Sequence, residues 1–171
     1  MSFLEFNISD FNFDDLVKDT ILLEVKHILS NININLILDK NDSTNYRGCC
    51  FRNKEDISKF DVYINIKKGL EEDIFYFNKR GILGDIFNPN GETFMPKNNR
   101  DIGVYSILFT ILHEYKHYIQ YKEGRLDNID ISLSNNKYIS PKAQSLEIEA
   151  EQFALDNINN ALNNNLSFLI K

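Results

Sequence analysis

The chain has 171 residues, 43% hydrophobic and 26% charged, with a formal net charge of -6 and a pI near 5.1. That length suits one domain with a real core, and the acidity argues against nucleic acid as the main partner. No apolar run reaches the roughly 20 residues of a membrane span. Met1-Ser2-Phe3-Leu4-Glu5 has neither the basic start nor the apolar stretch of a signal peptide. A cytoplasmic protein without a membrane partner is therefore expected. The abundance of Asn, Ile and Lys suggests an A/T-rich coding genome, such as that of a low-GC bacterium, a phage or a large virus.

Residues 1–12 show no clear period. Asn12 is placed to cap a helix over residues 13–29, with Asp14 and Asp15 in its first turn. The stripe Leu16, Val17, Ile21, Leu22, Val25, Ile28 and Leu29 forms its buried face. His27 on this helix has no ligand-type neighbour at useful spacing and is expected to be structural. Alternation of Ile32, Ile34, Leu36 and Leu38 with Asn33, Asn35 and Ile37 predicts a half-buried strand. After a turn at residues 41–45, residues 46–52 and 60–67 predict a second and a third strand, and the short links suggest antiparallel pairing. The adjacent Cys49 and Cys50 lack C-x-x-C spacing and read as strand residues in a reducing compartment. Residues 70–79 fit a helix or a strand equally well. Residues 81–100 hold Gly81, Gly84, Pro89, Gly91 and Pro96, and predict a long loop that could wall a cleft.

The run from Asp101 to Lys122 follows as one long helix, with Gly124 as its stop. It contains His113-Glu114-Tyr115-Lys116-His117, an H-E-x-x-H pattern. Two residues four apart lie one turn apart on one helix face, so two imidazoles at this spacing can hold one zinc ion from the same side. Glu114 is rotated by about 100° from His113 and reaches the edge of such a site, where it can accept a proton from water activated by the ion. Ser106, Thr110, His117 and Gln120 share the direction of His113. Ile107, Leu108, Ile111, Leu112, Tyr115, Tyr118 and Ile119 fall opposite, giving an apolar face to pack and a polar face to line a site. With 3 histidines in the chain, a chance match to this pattern is rare.

A catalytic zinc wants three protein ligands and one open position. No histidine follows His117, and the glycine and histidine of the metzincin pattern are absent. The third ligand is therefore expected to be a carboxylate, with Glu123, Asp127, Asp130, Glu147, Glu149, Glu151 and Asp156 as candidates. Ser140 and Pro141 start a last helix, by capping and first-turn preference, that runs to about Ala161. On it Glu147 and Glu151 share a stripe with Ala143, Ala150, Ala154, Ile158 and Ala161. Glu149 points away, so it is expected to face solvent. The alanines allow close approach of a neighbouring helix, taken to be the one with the histidines.

The segment Leu146-Glu147-Ile148-Glu149-Ala150-Glu151-Gln152-Phe153-Ala154, after the H-E-x-x-H helix, resembles the E-x-E-A-D-x-F-A segment of zincin metallopeptidases of the ImmA/IrrE-like or M48-like kind. The resemblance covers roughly residues 104–158. It implies an α+β zincin-like fold, with a small antiparallel or mixed sheet packed against the active helix and a C-terminal glutamate-bearing helix. It also implies Zn2+ held by His113, His117 and Glu147. Glu151 stands where the family has an aspartate that braces a ligand histidine, and this departure makes its role less sharply defined. The expected function is hydrolysis of a peptide or protein substrate with Glu114 as general base. Tyr121 and Tyr138 are candidates to stabilise the oxyanion. The alternative is a zinc-binding structural or regulatory protein, such as a virion component, with little or no proteolysis; an intact Glu114 argues against it, because structural zinc needs no base.

Overall fold

The computed structural model describes residues 5–41, 44–83, 96–126 and 141–170. Three strands and five helices form an α+β fold among them: α1 (Phe13–Leu16), α2 (Thr20–Asn31), β1 (Ile34–Asp39), β2 (Gly48–Arg52), β3 (Phe60–Asn65), α3 (Ile66–Leu83), α4 (Asn99–Lys122) and α5 (Pro141–Leu162). Short 3-10 turns lie at Ile8–Asp10 and Ser167–Ile170. No described helix is long and apolar enough to cross a membrane.

The sheet is mixed, with order β1-β3-β2. β1 runs parallel to β3 and β2 antiparallel to it. The expected antiparallel pairing thus holds for β2 and β3 but not for β1, which never pairs with β2. The reason lies in β3, where Phe60, Asp61, Val62, Ile64 and Asn65 are all buried. A strand so buried takes the centre, where both of its edges are paired, and the half-exposed β1 and β2 take the flanks. Asp61 is buried with no ion-pair partner among the described residues but accepts hydrogen bonds from Asn35 and Asn53. Cys49 and Cys50 lie on β2, as expected, and neither forms a disulfide among the described residues.

The helix expected over residues 13–29 is two helices. Asn12 caps the first as predicted, accepting from Asp15 N–H. Asp19 caps the second by accepting from Ile21 N–H at 3.0 Å, and its other oxygen takes Arg100 at 2.7 Å. A cap that satisfies an orphan N–H favours a fresh start over a continuous helix. His27 is exposed on α2, in keeping with a structural reading. The ambiguous residues 70–79 are helical within α3, which buries Leu70, Ile74 and Phe77. The third strand stops at Asn65, whose side chain accepts from Lys68 N–H and so starts α3. Of the expected loop, residues 84–95 lie outside the described residues, while residues 81–83 end α3 and residues 99–100 begin α4.

α4 is the axis of the fold. Asn98 caps it through Asp101 N–H, and Gly124 ends it at a φ of 70°, the left-handed conformation glycine adopts without penalty. Its apolar side is buried as expected, and so is much of its polar side: Ser106, Thr110, Glu114, His117 and Gln120 are all buried. α5 covers part of that side through Ala143, Leu146, Ala150, Ala154, Ile158 and Ala161. The tail folds back to bury Leu166 and Leu169, and the Tyr115 hydroxyl donates to Leu169 O.

β2 also crosses α4. A Cβ on Gly48 would stand 2.9 Å from Tyr63 O, 2.9 Å from Thr110 Cγ2 and 3.1 Å from Glu114 Cγ. Gly48→Ala is therefore expected to push the edge strand off the helix and destabilise by about 1–3 kcal/mol, as overpacking does. Urea unfolding checks this; a midpoint equal to wild type would mean the strand yields freely.

Candidate metal centre

His113 and His117 lie one turn apart on α4, with ring centroids 4.9 Å apart. α5 brings Glu147 to both of them. His113 Nε2 is 3.1 Å from Glu147 Oε2, His117 Nε2 is 3.1 Å from Glu147 Oε1, and the two Nε2 atoms are 3.2 Å apart. The three side chains form a group that could hold a metal ion. Around a tetrahedral zinc with ligands at about 2.0–2.1 Å, ligand atoms stand about 3.3 Å from one another. Each of the three distances is close to that value, with Glu147 offering a different oxygen to each histidine, so the donor set suits such an ion in chemistry and approximate size.

Glu114 lines the same cleft, about 190 Å³ in volume, together with His113, Glu147 and Glu151. It is 6% exposed. Among the described residues its carboxylate makes no hydrogen bond or ion pair. Burial raises its pKa, while His113 and His117 pull the other way. Burial disfavours charge on His113 too, but hydrogen bonds to Glu147 and Glu151 outweigh it and raise its pKa. Burial likewise opposes ionisation of Glu147, but the hydrogen bond with His113 and the close approach of His117 outweigh it and hold that carboxyl well below the usual range. The opposite wall of the cleft is Asn45, Tyr46, Arg47 and Gly48. Arg47 is pinned there by a two-pronged pair with Asp73 at 2.9 and 2.7 Å and donates to Thr110 Oγ1 at 3.1 Å.

Glu151 lies 3.5 Å from His113 Nδ1, with its side chain 54% exposed. Glu149 does not face open solvent. It pairs with Arg125 at 2.9 and 2.6 Å and with Lys116 at 3.0 Å. The expected stripe left out Leu146, which is buried. Including it turns the centre of the buried face by only about 10–20° at 100° per residue, so Glu149 is drawn in mainly by the reach of Lys116 and Arg125. Tyr121 lies away from the cleft, its ring 5.6 Å from that of Phe60, and so is misplaced for an oxyanion. Glu123 pairs with Arg125 instead of the histidines, and Asp156 accepts from Gln152. Tyr138, Asp127, Asp130 and Ser140 lie outside the described residues.

The sequence reading missed Arg47 altogether and placed Gln120 on the site-lining face without giving it a role. Arg47 carried no motif; only its later position against Asp73 and Thr110 gives it meaning. Gln120 had a signal, since it lies three residues after His117 on the same face. Its Oε1 is 2.8 Å from His117 Nδ1.

Compared with family models, curated proteins and solved structures, the chain matches none. The fold and site together define an α+β protein with a small three-stranded mixed sheet and a His/His/Glu group able to hold a metal ion.

Proposed function

We propose that this chain is a small zinc-dependent peptidase of zincin-like fold. One juxtaposition carries the reading: His113, His117 and Glu147 converge, with nitrogen–nitrogen and nitrogen–oxygen distances of 3.1–3.2 Å, beside a buried carboxylate, Glu114, that lines the same cleft and has no partner among the described residues. A purely structural site has no use for such a carboxylate, whose burial without a partner is costly. Two imidazoles and one carboxylate suit zinc among the common divalent ions. Zinc, when bound, supplies a Lewis acid that acidifies water and polarises a peptide carbonyl.

The chain's own residues do the rest. His113, His117 and Glu147 would hold the ion, beside a cleft lined by Glu114, Glu151 and Arg47 that can receive a substrate. Glu114 accepts the proton of the attacking water and returns it to the leaving amine; burial raises its pKa, which makes the carboxylate more basic than an exposed one. Arg47, held by Asp73, fixes Thr110 and the wall facing the histidines.

The test is elemental analysis of the purified chain together with cleavage of a mixed peptide library. About one zinc per chain is expected, as in a single three-ligand site. Cleavage should disappear with a chelator and return with added zinc. Bound zinc should also raise the melting temperature in proportion to its free concentration over Kd. Cleavage that persists in the fully stripped protein would remove the basis for this function.

A further inference from the structure

We propose that Gln120 is the positioning residue of this site: it fixes the tautomer of His117 and, with the same amide, ties the two metal-holding helices together. The inference rests on the reading of the triangle as a metal centre.

Gln120 is fully buried on α4. Its Nε2 lies 3.1 Å from the backbone oxygen of Leu146, on α5. A carbonyl only accepts, so the amide nitrogen must face it. That orientation leaves Oε1 towards His117 Nδ1 at 2.8 Å. Amide oxygen also only accepts, so Nδ1 must carry the hydrogen. A neutral imidazole has one N–H, and His117 Nε2 therefore presents its lone pair to the triangle. The tautomer needed for metal binding is set before any ion arrives.

The other end of the amide matters as much. Leu146 directly precedes Glu147 in the sequence. Gln120 thus holds the ring of one donor on α4 and the backbone beside another donor on α5. A carboxylate at this position could orient His117 but could not donate to Leu146 O. An alkyl side chain could do neither. His113 has a weaker brace, because Glu151 is half exposed and 3.5 Å away. Glu149 Oε2, 3.4 Å from the Gln120 amide and held by Arg125 and Lys116, supports the amide from outside.

The experiment compares the full chain with Gln120→Met, which keeps volume and removes both hydrogen bonds. The control is Val25→Ala, in the core at α2 and remote from the site. Cobalt(II) is the probe: competition with a chelator gives affinity, and visible absorption reports the coordination. Nitrogen NMR of His117 in the wild-type chain reports the tautomer. Expected are a loss of cobalt affinity of about 10- to 100-fold in Gln120→Met, the usual cost of losing an outer partner of a ligand, an altered spectrum, and a wild-type His117 protonated at Nδ1. Val25→Ala should lower stability with affinity and spectrum intact. Wild-type affinity and spectrum in Gln120→Met would overturn the proposal, as would an equal loss in Val25→Ala. If Gln120→Met does not fold, the wild-type tautomer decides, and a proton on Nε2 overturns it. A wild-type chain that takes up no cobalt overturns the metal centre itself, and this role with it.

Discussion

Glu114→Gln is expected to keep the fold and the metal while peptide cleavage falls by about 10²–10⁴-fold, the range for loss of a general base. Glu114 lies in the cleft beside the histidines but outside the triangle of donors, so the metal should not notice the change. The amide has the shape of the carboxylate, so the contact with β2 at Gly48 survives. Its effect on stability has a definite sign. A buried carboxylate without a hydrogen bond is costly when ionised, and the neutral amide removes that cost. The melting temperature should therefore equal or exceed that of wild type, which separates loss of a base from loss of structure. Zinc content, melting temperature and library cleavage measure the three quantities. Undiminished cleavage would rule out Glu114 as the base. A wild-type chain that binds zinc and cleaves nothing across a broad library would favour the structural or regulatory alternative.

Local signals carried much of this site. The four-residue spacing of His113 and His117 becomes a shared direction on any helix, and the helix is there because its apolar residues recur at helical spacing. The alanines of α5 foretold close approach to α4, and both helices do meet at the site. What a period cannot give is the partner across a gap. Nothing in the strand patterns said that β3 would separate β1 from β2, since that depends on which strand is buried on both sides. Glu149 was assigned to solvent because Arg125 and Lys116, its partners, come from elsewhere in the chain. Arg47 is silent for the same reason: its role depends on Asp73 and Thr110, 26 and 63 residues away. Asp19 is a different kind of miss, because Asp before Thr-Ile-Leu-Leu is a readable cap.

Among the glutamates of α5, removal of Glu147 is expected to have the largest effect on the metal. Its two oxygens reach both histidines at 3.1 Å. Glu147→Ala leaves two protein donors where a catalytic site wants three, and His113→Ala does the same from the other side. Each should weaken zinc by more than the roughly 10- to 100-fold that loss of an outer partner costs. Glu151 touches only His113 Nδ1, at 3.5 Å and from a half-exposed side chain. Glu151→Ala should therefore lie at the low end of that range, about tenfold. Glu149 meets no donor atom of the triangle. Its bonds go to Arg125 and Lys116, with a longer contact to Gln120. Glu149→Ala should lower stability by an amount typical of partly exposed ion pairs, up to about 1 kcal/mol, with zinc affinity close to wild type. Zinc titrations and melting curves of the four variants give the order. A greater loss in Glu151→Ala than in Glu147→Ala would place the third donor one turn further along α5. If Glu149→Ala loses zinc most, the metal does not sit in the His113, His117 and Glu147 triangle at all.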